Sequence, residues 1–439
     1  MSDKKTPTII IGAGWAGIAA AVELTRKGHP CLLLEAAQQA GGRSRSVHYP
    51  DISVDNGQHL MIGAYHHMLR SMKHIGINID DMFLRESLRI DVYPKNKNTI
   101  LIKTAKLPAP FHLAGGIAMT KGLPVMDKIH ALSFMTKVAV SNFKIAKDCT
   151  VKQYLDKFCH SQLFIDAFLE PLCLAALNTP IELASTQVFF NVLRDSFKHN
   201  ASDSDLLLPK KCLSQIYPDH ALRYLKQHGS DYKLDTRVSE ILVENGKVTG
   251  IRCSERMIKT NKVIVATTPT AASRIMQASN MPASMYKALN KLRSQPVSTV
   301  YLQFNKNVRL PYYMTGMTGT ITQWLFDRRF CGQPGLIAAV MSAKGLQTAL
   351  DKTVLIDVVK NEIAALFPEL KNPVRTIAIR EKRATFSAVK NIQSLRPTQK
   401  TEIKGCYLAG DYTLTPYPST IEGAVMSGIQ CAKLLLKQK

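Results

Sequence analysis

The sequence has few acidic residues and no motif for binding nucleic acid. It carries 33 aspartates and glutamates against 57 lysines and arginines, which leaves a formal net charge of +24. Zinc-finger spacing, an aromatic RNP-like strand and a basic helix-turn-helix are absent, so the charge does not indicate a protein that binds DNA or RNA. The basic residues are spread along the chain. Their excess either has no specific partner or reflects attraction to an anionic membrane, at roughly 1 kcal/mol per basic residue near the surface.

Paired cysteines are missing as well. Nine cysteines are present, but none of them forms a C-x-x-C pair. An odd number without paired spacing predicts neither a disulfide framework nor a metal site. This usage is typical of a reducing compartment, so we expect a cytoplasmic protein. The short polar N-terminus also lacks the order of regions that a secretory signal requires.

The chain has no hydrophobic run of the length that spans a bilayer. Residues 8–22 are nearly free of charge, but a span needs about 20 apolar residues, and Gly12, Gly14 and Gly17 interrupt this run. The composition is otherwise that of a globular protein, since 46% of the 439 residues are hydrophobic. Such a chain can bury a large core in about two to four domain-sized units.

The first 35 residues have the pattern of a dinucleotide-binding βαβ unit. Two apolar strands, 8–11 and 31–34, flank a glycine turn and an Ala- and Leu-rich helix. In the turn, Gly12 permits the tight bend, Gly14 lets the backbone approach a pyrophosphate, and Gly17 lets helix and strand pack closely. The helix N-terminus offers free N–H groups to phosphates. Glu35, at the end of the second strand, can accept a hydrogen bond from a ribose hydroxyl.

Two further motifs point to a flavin. Gly42 and Arg43 belong to a Gly-Gly-Arg sequence that NAD dehydrogenases do not usually need. Flavoproteins of the amine oxidase and phytoene desaturase type carry it, and this sequence resembles them; there the arginine helps to neutralise the dinucleotide. Near the other end, Asp411 follows a short strand and can bind a ribityl hydroxyl. A helix opens near Gly423 and directs its N–H groups at the flavin or its phosphates.

Periodicity gives a coarse map of the remaining elements. Helices are predicted at 64–75, 127–147 and 420–436, and further helical patterns run from 151 to 177. Strands are predicted at 238–243 and 248–253 around an Asn-Gly turn, which is a strong hairpin signal, and at 262–266, 297–304, 336–342, 377–383 and 406–409.

These elements predict an α/β fold with two domains. A doubly wound, Rossmann-type FAD-binding domain is assembled from residues 1–87, 225–284 and 400–439. A substrate-binding domain, made of helices and a mixed or antiparallel sheet, is inserted as residues 88–224 and 285–399.

Residues 55–60 and 410–424 resemble the hydroxysqualene dehydroxylase family, also described as squalene-associated FAD-dependent desaturases. Residues 176–180 are similar to that family too. The resemblance covers essentially the whole chain, with little local support from 88–147 and 303–377. It implies a reductive step of squalene and hopanoid biosynthesis: hydroxysqualene loses its hydroxyl and gains a hydride from reduced FAD, which gives squalene.

Binding motifs do not set the direction of hydride transfer, so other enzymes of the same fold stay open. A carotenoid or phytoene desaturase would move hydride from substrate to flavin. A flavin amine oxidase is a second alternative. Amine oxidases commonly tether FAD through a cysteine near the C-terminal motif, but Cys406 precedes that motif on the strand, so we expect FAD to be bound non-covalently. A flavin-bearing protein without turnover has no positive support.

Candidate catalytic residues follow from the need to protonate a departing hydroxyl. His59 is the preferred acid, because the 55–60 loop should reach the flavin face; the alternative is a hydrogen-bonded structural histidine. Asp55 is either catalytic or the cap of a turn, and Tyr417 is either a hydrogen-bond donor or a wall of the substrate site. The residues predicted to contact FAD are Gly12, Gly14, Trp15, Ala16, Gly17, Glu35, Ala36, Gly42, Arg43, Gly57, Gln58, His59, Val238 (at the adenine end), Thr267, Gly410, Asp411, Ile421, Glu422, Gly423 and Ala424.

An isoprenoid as apolar as squalene partitions into lipid. An enzyme that acts on it should dock on a membrane, here the inner face of the cell membrane, and offer the substrate an apolar tunnel. Residues 127–147 are apolar at helical spacing and dotted with lysines. They either contact the membrane or pack as a core helix. Nothing in the sequence sets an oligomeric state.

Overall fold

The computed structural model describes residues 6–95, 98–254 and 256–437. The predicted domain segments also include residues 1–5, 96–97, 255 and 438–439, which lie outside the described residues. The strands are β1 (Thr8–Ile11), β2 (Cys31–Leu34), β3 (Ser46–Tyr49), β4 (Ile52–Asp55), β5 (Met61–Ile62), β6 (Phe83–Glu86), β7 (Arg89–Pro94), β8 (Ile100–Lys103), β9 (Leu206–Pro209), β10 (Asp231–Lys233), β11 (Val238–Glu244), β12 (Lys247–Cys253), β13 (Arg256–Lys259), β14 (Val263–Val265), β15 (Ser294–Gln303), β16 (Met314–Thr318), β17 (Trp324–Asp327), β18 (Leu336–Ser342), β19 (Arg375–Phe386) and β20 (Cys406–Leu408). The helices are α1 (Trp15–Arg26), α2 (His66–His74), α3 (Ile79–Met82), α4 (Phe111–Ala118), α5 (Val125–Val140), α6 (Val151–Phe158), α7 (Gln162–Phe164), α8 (Glu170–Leu177), α9 (Thr186–Phe197), α10 (Leu213–Ile216), α11 (Pro218–Gln227), α12 (Pro269–Ala278), α13 (Ala283–Asn290), α14 (Leu346–Ala349), α15 (Lys352–Leu366) and α16 (Ile421–Lys437).

A five-stranded parallel sheet joins distant parts of the chain in the order β10-β2-β1-β14-β20. Every neighbouring pair in it is parallel. Four of its strands are short and apolar, as is typical of a parallel sheet covered on both faces, whereas the edge strand β10 has the sequence Asp-Tyr-Lys. The first strand of the chain therefore lies near the centre, and the last strand forms one edge.

The two faces of this sheet bury different layers because successive side chains point to opposite sides. Ile10 and Ile264 point into the cluster formed with helices α1, α11 and α16. Ile9 and Val263 join the larger cluster that includes Ile241 of the antiparallel meander β11-β12-β13. The α/β fold class is confirmed, and the second face is covered by this meander.

Helices α1 and α16 approach each other closely on the first face. A Cβ added at Gly428 would lie 2.1 Å from the carbonyl oxygen of Ala16, a distance that no side chain tolerates. Glycine at this position therefore lets the last helix lie directly against the helix that follows the glycine turn.

The second large sheet has seven strands in the order β19-β15-β18-β17-β16-β7-β8. Its pairs are antiparallel except for β16 with β7, which makes it a mixed sheet. Apolar residues of α15, such as Leu355, Val359 and Ile363, are buried with residues of this sheet in a separate core. The prediction of helices combined with a mixed sheet agrees with this arrangement.

Local predictions were most accurate where turn chemistry marked the ends of elements. The hairpin at β11 and β12 forms around Asn245 and Gly246, whose φ angles of 48° and 71° are the left-handed values that this pair favours. The helix predicted over 127–147 is wrong at its C-terminal end: α5 stops at Val140, and Asn142 and Phe143 take positive φ angles of 53° and 57°, which break the helix.

Helix α11 lies across the predicted domain boundary at residues 224 and 225. Its residues Ala221, Leu222 and Leu225 share a core with α1 and the parallel sheet. The division of the chain into two domains stays a prediction. Within the described part of the chain, none of the helices combines the length and apolar character needed to traverse a bilayer.

Candidate active site

The glycine turn before α1 is built so that the backbone is open at one point only. Gly12 takes a φ of +106°, and a Cβ there would lie 2.6 Å from the carbonyl oxygen of Ala266. A Cβ at Gly17 would lie 1.9 Å from the carbonyl oxygen of Gly12. At Gly14, in contrast, no described atom lies within 4 Å of an added Cβ. Gly12 and Gly17 thus serve packing, and Gly14 faces open space at the start of α1.

Glu35 ties this turn to the end of β2. Its Oε2 accepts a hydrogen bond of 2.7 Å from the backbone N–H of Ala13, and its Oε1 accepts one of 2.9 Å from Ala37. The backbone N–H of Thr236 donates to the carbonyl of Glu35 at 2.7 Å, which brings the start of β11 at Val238 to the same end of the sheet. Glu35 therefore orients the turn and lies beside the segment predicted to contact adenine.

The Gly-Gly-Arg segment packs against the first turn. The backbone N–H of Gly41 donates to the carbonyl of Ala13 at 2.8 Å. Gly42 takes a φ of +59°, and a Cβ there would lie 3.2 Å from the Cα of Gly14. Arg43 then reaches across to the C-terminal motif, where its Nη2 donates to Asp411 Oδ1 at 2.6 Å. Its charge is thus balanced within the protein.

Asp411 is buried at the end of β20, with 4% of its surface exposed. Burial alone would raise the pKa of its carboxyl, but the charge and hydrogen bond of Arg43, aided by the hydroxyl of Ser419, hold that pKa below its usual value. The backbone N–H of Gly410 donates to Ser427 Oγ at 3.0 Å, which fixes the preceding residue to α16. Asp411 is therefore ionised at neutral pH and rigidly placed.

Arg396 holds the loop that follows Asp411. Its Nη2 donates to the carbonyl of Asp411 at 2.7 Å, and its Nη1 donates to the carbonyls of Thr415 at 2.8 Å and Tyr417 at 2.7 Å. Only 4% of its surface is exposed, and burial lowers the pKa of its guanidinium to about 10, against the opposing influence of Asp411. A charged side chain thus organises the loop through backbone carbonyls.

Asp55 lies in a buried ion pair. Its Oδ2 is 3.3 Å from both Nη1 and Nη2 of Arg328, and its Oδ1 accepts from the backbone N–H of Leu213 at 2.8 Å. The carbonyl of Asp55 accepts a hydrogen bond of 2.9 Å from the hydroxyl of Tyr301. Asp55 and Arg328 are 1% and 0% exposed. The geometry corresponds to the capping alternative, because Leu213 is the first residue of α10.

The loop after Asp55 carries Gln58 and His59. Gln58 Oε1 accepts from Arg328 Nη1 at 2.5 Å, and Gln58 Nε2 donates to the carbonyl of His59 at 2.8 Å, so both ends of this amide bind protein. His59 Nδ1 donates to the carbonyl of Gly57 at 2.7 Å. Burial lowers the pKa of His59, and Arg43 adds to this effect, whereas the Gly57 carbonyl and Asp55 oppose it. His59 is therefore a neutral imidazole at neutral pH, with Nε2 left to exchange a proton.

The remaining predicted residues divide between the site and the scaffold. Gly57 lies beside Thr299, whose buried Oγ1 has no hydrogen-bond partner among the described residues. Glu422 turns away and caps α2, since its carboxylate accepts from the backbone N–H groups of His67 at 2.8 Å and Met68 at 2.9 Å. Trp15 also packs away, stacked on Tyr217 at 4.9 Å between ring centroids.

Tyr417 lies at the opening of α16. A Cβ added at Gly423 would be 3.3 Å from the Cβ of Tyr417. Burial raises the pKa of the Tyr417 phenol, and the neighbouring carboxylate of Asp195 adds to this, so the phenol keeps its proton. The other predicted positions lie along these same segments: Ala16 and Ala424 are buried in helices α1 and α16, Ile421 is half-buried, Ala36 is exposed and Thr267 lies beside Gly12.

These residues fit an FAD molecule. Helix α1 begins at Trp15 without a side-chain cap among the described residues, so its first N–H groups are available at the open Gly14. Glu35 follows β2 and Asp411 follows β20, so both lie at the C-terminal ends of the parallel strands. Arg43 binds Asp411 and so joins the N-terminal and C-terminal segments there. The open backbone, the free helix terminus and the buried hydroxyl of Thr299 are what a dinucleotide with a flavin would use.

Sequence reasoning missed Arg328, Arg396 and Gly428. The first two bind partners far away along the chain, and nothing in their neighbours indicates that they are buried. Gly428 had a signal, because the small residues Gly423, Ser427 and Gly428 follow one another along one helix, and small residues let helices approach closely.

Comparisons with known proteins agree with this geometry. Residues 15–436 match the model of the flavin containing amine oxidoreductase family. The chain is 25% identical over 434 residues to the hydroxysqualene dehydroxylase of Zymomonas mobilis, covering 98% of this chain and 99% of that protein. It is also 25% identical over 473 residues to a 15-cis-phytoene desaturase of an Oncidium hybrid cultivar, covering 99% of this chain and 78% of that protein.

A solved oxidoreductase from Methanosarcina mazei has the same fold, with a TM-score of 0.77 at 16% identity and coverage of 98% of this chain and 100% of that chain. The predicted FAD cofactor is confirmed by the flavin-containing family. The chain, an FAD-dependent oxidoreductase, therefore belongs to the flavin containing amine oxidoreductase family.

Proposed function

We propose that the protein reduces hydroxysqualene to squalene, a step of squalene and hopanoid biosynthesis. The observation that carries this proposal is the similarity to the hydroxysqualene dehydroxylase of Zymomonas mobilis, which extends over 98% of this chain and 99% of that protein. Arg43 also connects the two strings that resemble this family. Asn56 Nδ2 donates to the carbonyl of Arg43 at 3.3 Å, and Arg43 binds Asp411. Both strings therefore border one site.

The residues that would hold FAD follow from the geometry. The open backbone at Gly14 and the N-terminus of α1 suit the pyrophosphate, Glu35 suits a ribose hydroxyl, and the start of β11 at Val238 suits the adenine. Asp411, held by Arg43, suits a ribityl hydroxyl. The bound flavin, in its reduced form, supplies the hydride.

We assign the proton transfer to His59. Its Nδ1 is fixed by the carbonyl of Gly57, which leaves Nε2 to carry the proton that a departing hydroxyl needs. Its lowered pKa makes the protonated ring a stronger acid than an exposed histidine. Tyr417, which keeps its proton, lines the substrate site or donates a hydrogen bond to the hydroxyl. Asp55 is a positioning residue that acts through Arg328 and Gln58 on this loop.

Single-turnover reduction tests the proposed reaction. The purified protein is reduced under anaerobic conditions and mixed with hydroxysqualene while the flavin absorbance is followed. Return of the oxidised flavin spectrum together with squalene in the product chromatogram supports the proposal. A flavin that stays reduced in the presence of hydroxysqualene contradicts it.

A phytoene desaturase is the second candidate, because the similarity to the Oncidium enzyme has the same 25% identity. That reaction runs the other way, from substrate to oxidised flavin. The oxidised protein mixed anaerobically with phytoene is therefore the matched experiment. Bleaching of the flavin by phytoene, without any reoxidation by hydroxysqualene, would assign the protein to this second function.

The proposed substrate also bears on where the protein works. Hydroxysqualene is apolar apart from one hydroxyl and dissolves in lipid far better than in water. We propose that the protein is cytoplasmic and makes peripheral contact with the anionic inner face of the cell membrane. The net charge of +24 is of the sign that such a surface attracts.

A further inference from the structure

Exposed apolar side chains are concentrated in one short part of the chain. Among the described residues, seven of the fourteen large apolar side chains that are exposed lie between positions 107 and 140. They are Leu107, Phe111, Met119, Val125, Met126, Ile129 and Val140, with exposed fractions from 47% to 82%. Single exposed apolar residues are common, but a group of them in consecutive elements marks an interaction surface.

Six of these residues lie close together on α4, α5 and the loops beside them. Phe111, Gly115 and Met119 are spaced four residues apart and so share one side of α4. A Cβ added at Gly115 would lie 3.1 Å from Leu107 Cδ1, which places Leu107 beside that side. Val125, Met126 and Ile129 occupy the first turns of α5, which packs on α4. We call these six residues the apolar face: Leu107, Phe111, Met119, Val125, Met126 and Ile129.

The apolar face is not the core-facing side of these helices. The inner sides of α4 and α5 already bury Leu113, Ile117, Ala131, Phe134 and Val138. The exposed residues are therefore additional apolar surface, with no described part of the chain covering them. This surface lies N-terminal to most of the 127–147 stretch, in which Phe134, Val138 and Phe143 are buried and Val140 is exposed.

The charged residues around the apolar face are mostly basic. Between residues 103 and 137 the sequence has five lysines and one acidic residue, Asp127. Asp127 is engaged with the protein, because Ser161 Oγ donates to its Oδ1 at 2.7 Å. Lys106 and Lys121 are exposed beside Leu107 and Met119 along the chain. Apolar side chains with basic residues around them match the acyl and phosphate layers of an anionic bilayer.

A cavity of 590 Å³ lies next to the apolar face. Lys106, Leu107 and Pro108 line it together with His112 and Tyr312, and its other charged lining residues are Glu86, Arg89, Lys103 and Asp205. His112 is 1% exposed, and neither of its ring nitrogens has a hydrogen-bond partner among the described residues. The cavity is within the size range of sites for small organic ligands, and the unpaired imidazole is buried in its wall.

We propose that the apolar face docks on an anionic lipid bilayer and that the adjoining cavity admits an isoprenoid alcohol directly from that bilayer. The identity of the isoprenoid rests on the proposed function, but the docking does not. Leu107 belongs to both features and Lys106 precedes it in the cavity lining, so the cavity opens where the lipid contact begins.

Vesicle binding tests the docking. The variant Phe111→Ser/Met126→Ser removes apolar area, and Lys106→Gln/Lys121→Gln removes charge. Each should weaken co-sedimentation with phosphatidylglycerol-containing vesicles by about tenfold or more. The matched controls are Leu346→Ser/Val374→Ser, which removes side chains that are 75% and 72% exposed elsewhere, and Lys247→Gln/Lys259→Gln; both should bind as the wild type does. The proposal would be overturned if the wild-type protein did not co-sediment with these vesicles. It would also be overturned if the control variants lost as much binding as the variants of the apolar face and its lysines.

Insertion of the apolar face into the bilayer can be measured without removing any lipid contact. Both native tryptophans are buried, Trp15 with 4% and Trp324 with 5% of their surface exposed, so a surface tryptophan dominates quenching by lipid. Val125→Trp should be quenched by brominated acyl chains in anionic vesicles, and Val374→Trp should not. Equal quenching of the two variants contradicts docking through the apolar face.

Turnover separates this proposal from the proposed reaction. The double serine variant should keep its flavin and its turnover with hydroxysqualene dispersed in detergent, and should lose turnover about tenfold with substrate embedded in vesicles. Binding of the wild type without turnover of hydroxysqualene would contradict the reaction and leave the docking supported. Equal turnover of variant and wild type on vesicles would contradict delivery from the bilayer.

Discussion

Arg43 and Asp411 are 368 residues apart in the sequence and 2.6 Å apart in space, joined by a charge-assisted hydrogen bond. One follows the glycine turn and the other ends the last strand of the parallel sheet. The pair therefore links the N-terminal and C-terminal parts of the flavin site. Arg43 lowers the pKa of Asp411, and Asp411 raises the pKa of Arg43.

Replacing Asp411 by asparagine should weaken the link between Arg43 and residue 411. The variant Asp411→Asn keeps the size of the side chain but removes the charge that Arg43 faces, so FAD should bind about tenfold more weakly or worse. The ratio of flavin to protein absorbance after gel filtration measures the loss. Asp357→Asn is the control, because Asp357 is in an exposed ion pair with Lys360 at 3.5 Å and such pairs contribute little.

The same pair makes a prediction about acid stability. Since the pKa of Asp411 in the folded protein is below its ordinary value of 3.8, the pair stabilises the fold above about pH 4 and loses this contribution as the pH falls further. The melting temperature of the wild type should therefore drop more steeply below about pH 4 than that of Asp411→Asn. Parallel acid limbs in the two proteins would contradict the prediction.

Two glycines of the turn allow the effect of a substitution on FAD binding to be distinguished from its effect on folding. Gly14→Ala places a methyl group in open space, so the apoprotein should melt as the wild type does while FAD binding falls. Gly17→Ala forces its methyl group against the carbonyl oxygen of Gly12 and should cost about 1–3 kcal/mol or more of stability. Calorimetry of the apoproteins and flavin titration distinguish the two. Normal FAD binding by Gly14→Ala would mean that the phosphates lie elsewhere.

Asp55 should behave as a structural residue in a double-mutant cycle. Asp55→Ala leaves the guanidinium of Arg328 buried without its partner, which we expect to cost about 3–5 kcal/mol. Adding Arg328→Met removes the stranded charge and should recover part of this loss. Urea unfolding followed by flavin fluorescence gives the free energies. Single and double variants that are equally stable, with turnover alone affected, would instead indicate a catalytic Asp55.

His59 should show its acid function in the pH dependence of turnover. Because burial lowers its pKa below the ordinary value of 6.5, the protonated form is scarce at neutral pH and becomes more abundant as the pH falls. The turnover number should rise between about pH 8 and about pH 5. His59→Gln should keep the yellow colour of bound flavin but lose this rise and most of the rate. A flat wild-type profile contradicts the assignment.

Attachment of FAD is predicted to be non-covalent. Burial raises the pKa of the Cys406 thiol to about 12, against the lowering influence of Thr401, and a thiol that stays protonated is a poor nucleophile. Acid precipitation should therefore release all flavin into the supernatant. Yellow colour retained in the washed pellet would show a covalent bond.

Parts of this fold could be predicted because their signals are local. The strand, turn and helix from Thr8 to Arg26 are marked by closely spaced glycines, although Gly12 also packs against the distant Ala266. The hairpin is marked by Asn245 and Gly246. Arg328 and Asp55 are different, since the pair forms across 273 residues. A sequence of charged residues does not reveal which of them will be buried together. The assignment of Asp55 to chemistry was open for this reason.

The same limit applies to the C-terminal motif. Asp411 was predicted from its short strand and glycine, but Arg396, which binds the backbone of the loop after it, was not. The guanidinium of Arg396 donates to backbone carbonyls. Because every residue has a backbone carbonyl, the side chains of the loop give no signal for this contact. Glu422 was predicted to contact the cofactor from its place at the opening of α16, and its carboxylate instead caps α2. A helix start shows where backbone N–H groups point, but it does not show where a side chain goes.

The position of β20 and α16 in the sheet has a consequence for synthesis of the protein. Until residues 406–437 have left the ribosome, β14 has an unpaired edge and the side of α1 near Ala16 lacks its neighbour. At translation rates of roughly 5–20 residues per second, the glycine turn waits on the order of 20–80 s for its partner. During that interval the nascent chain lacks Asp411 and the helix that packs on α1, so we expect the vitamin-derived prosthetic group to be captured only after residues 406–437 have emerged.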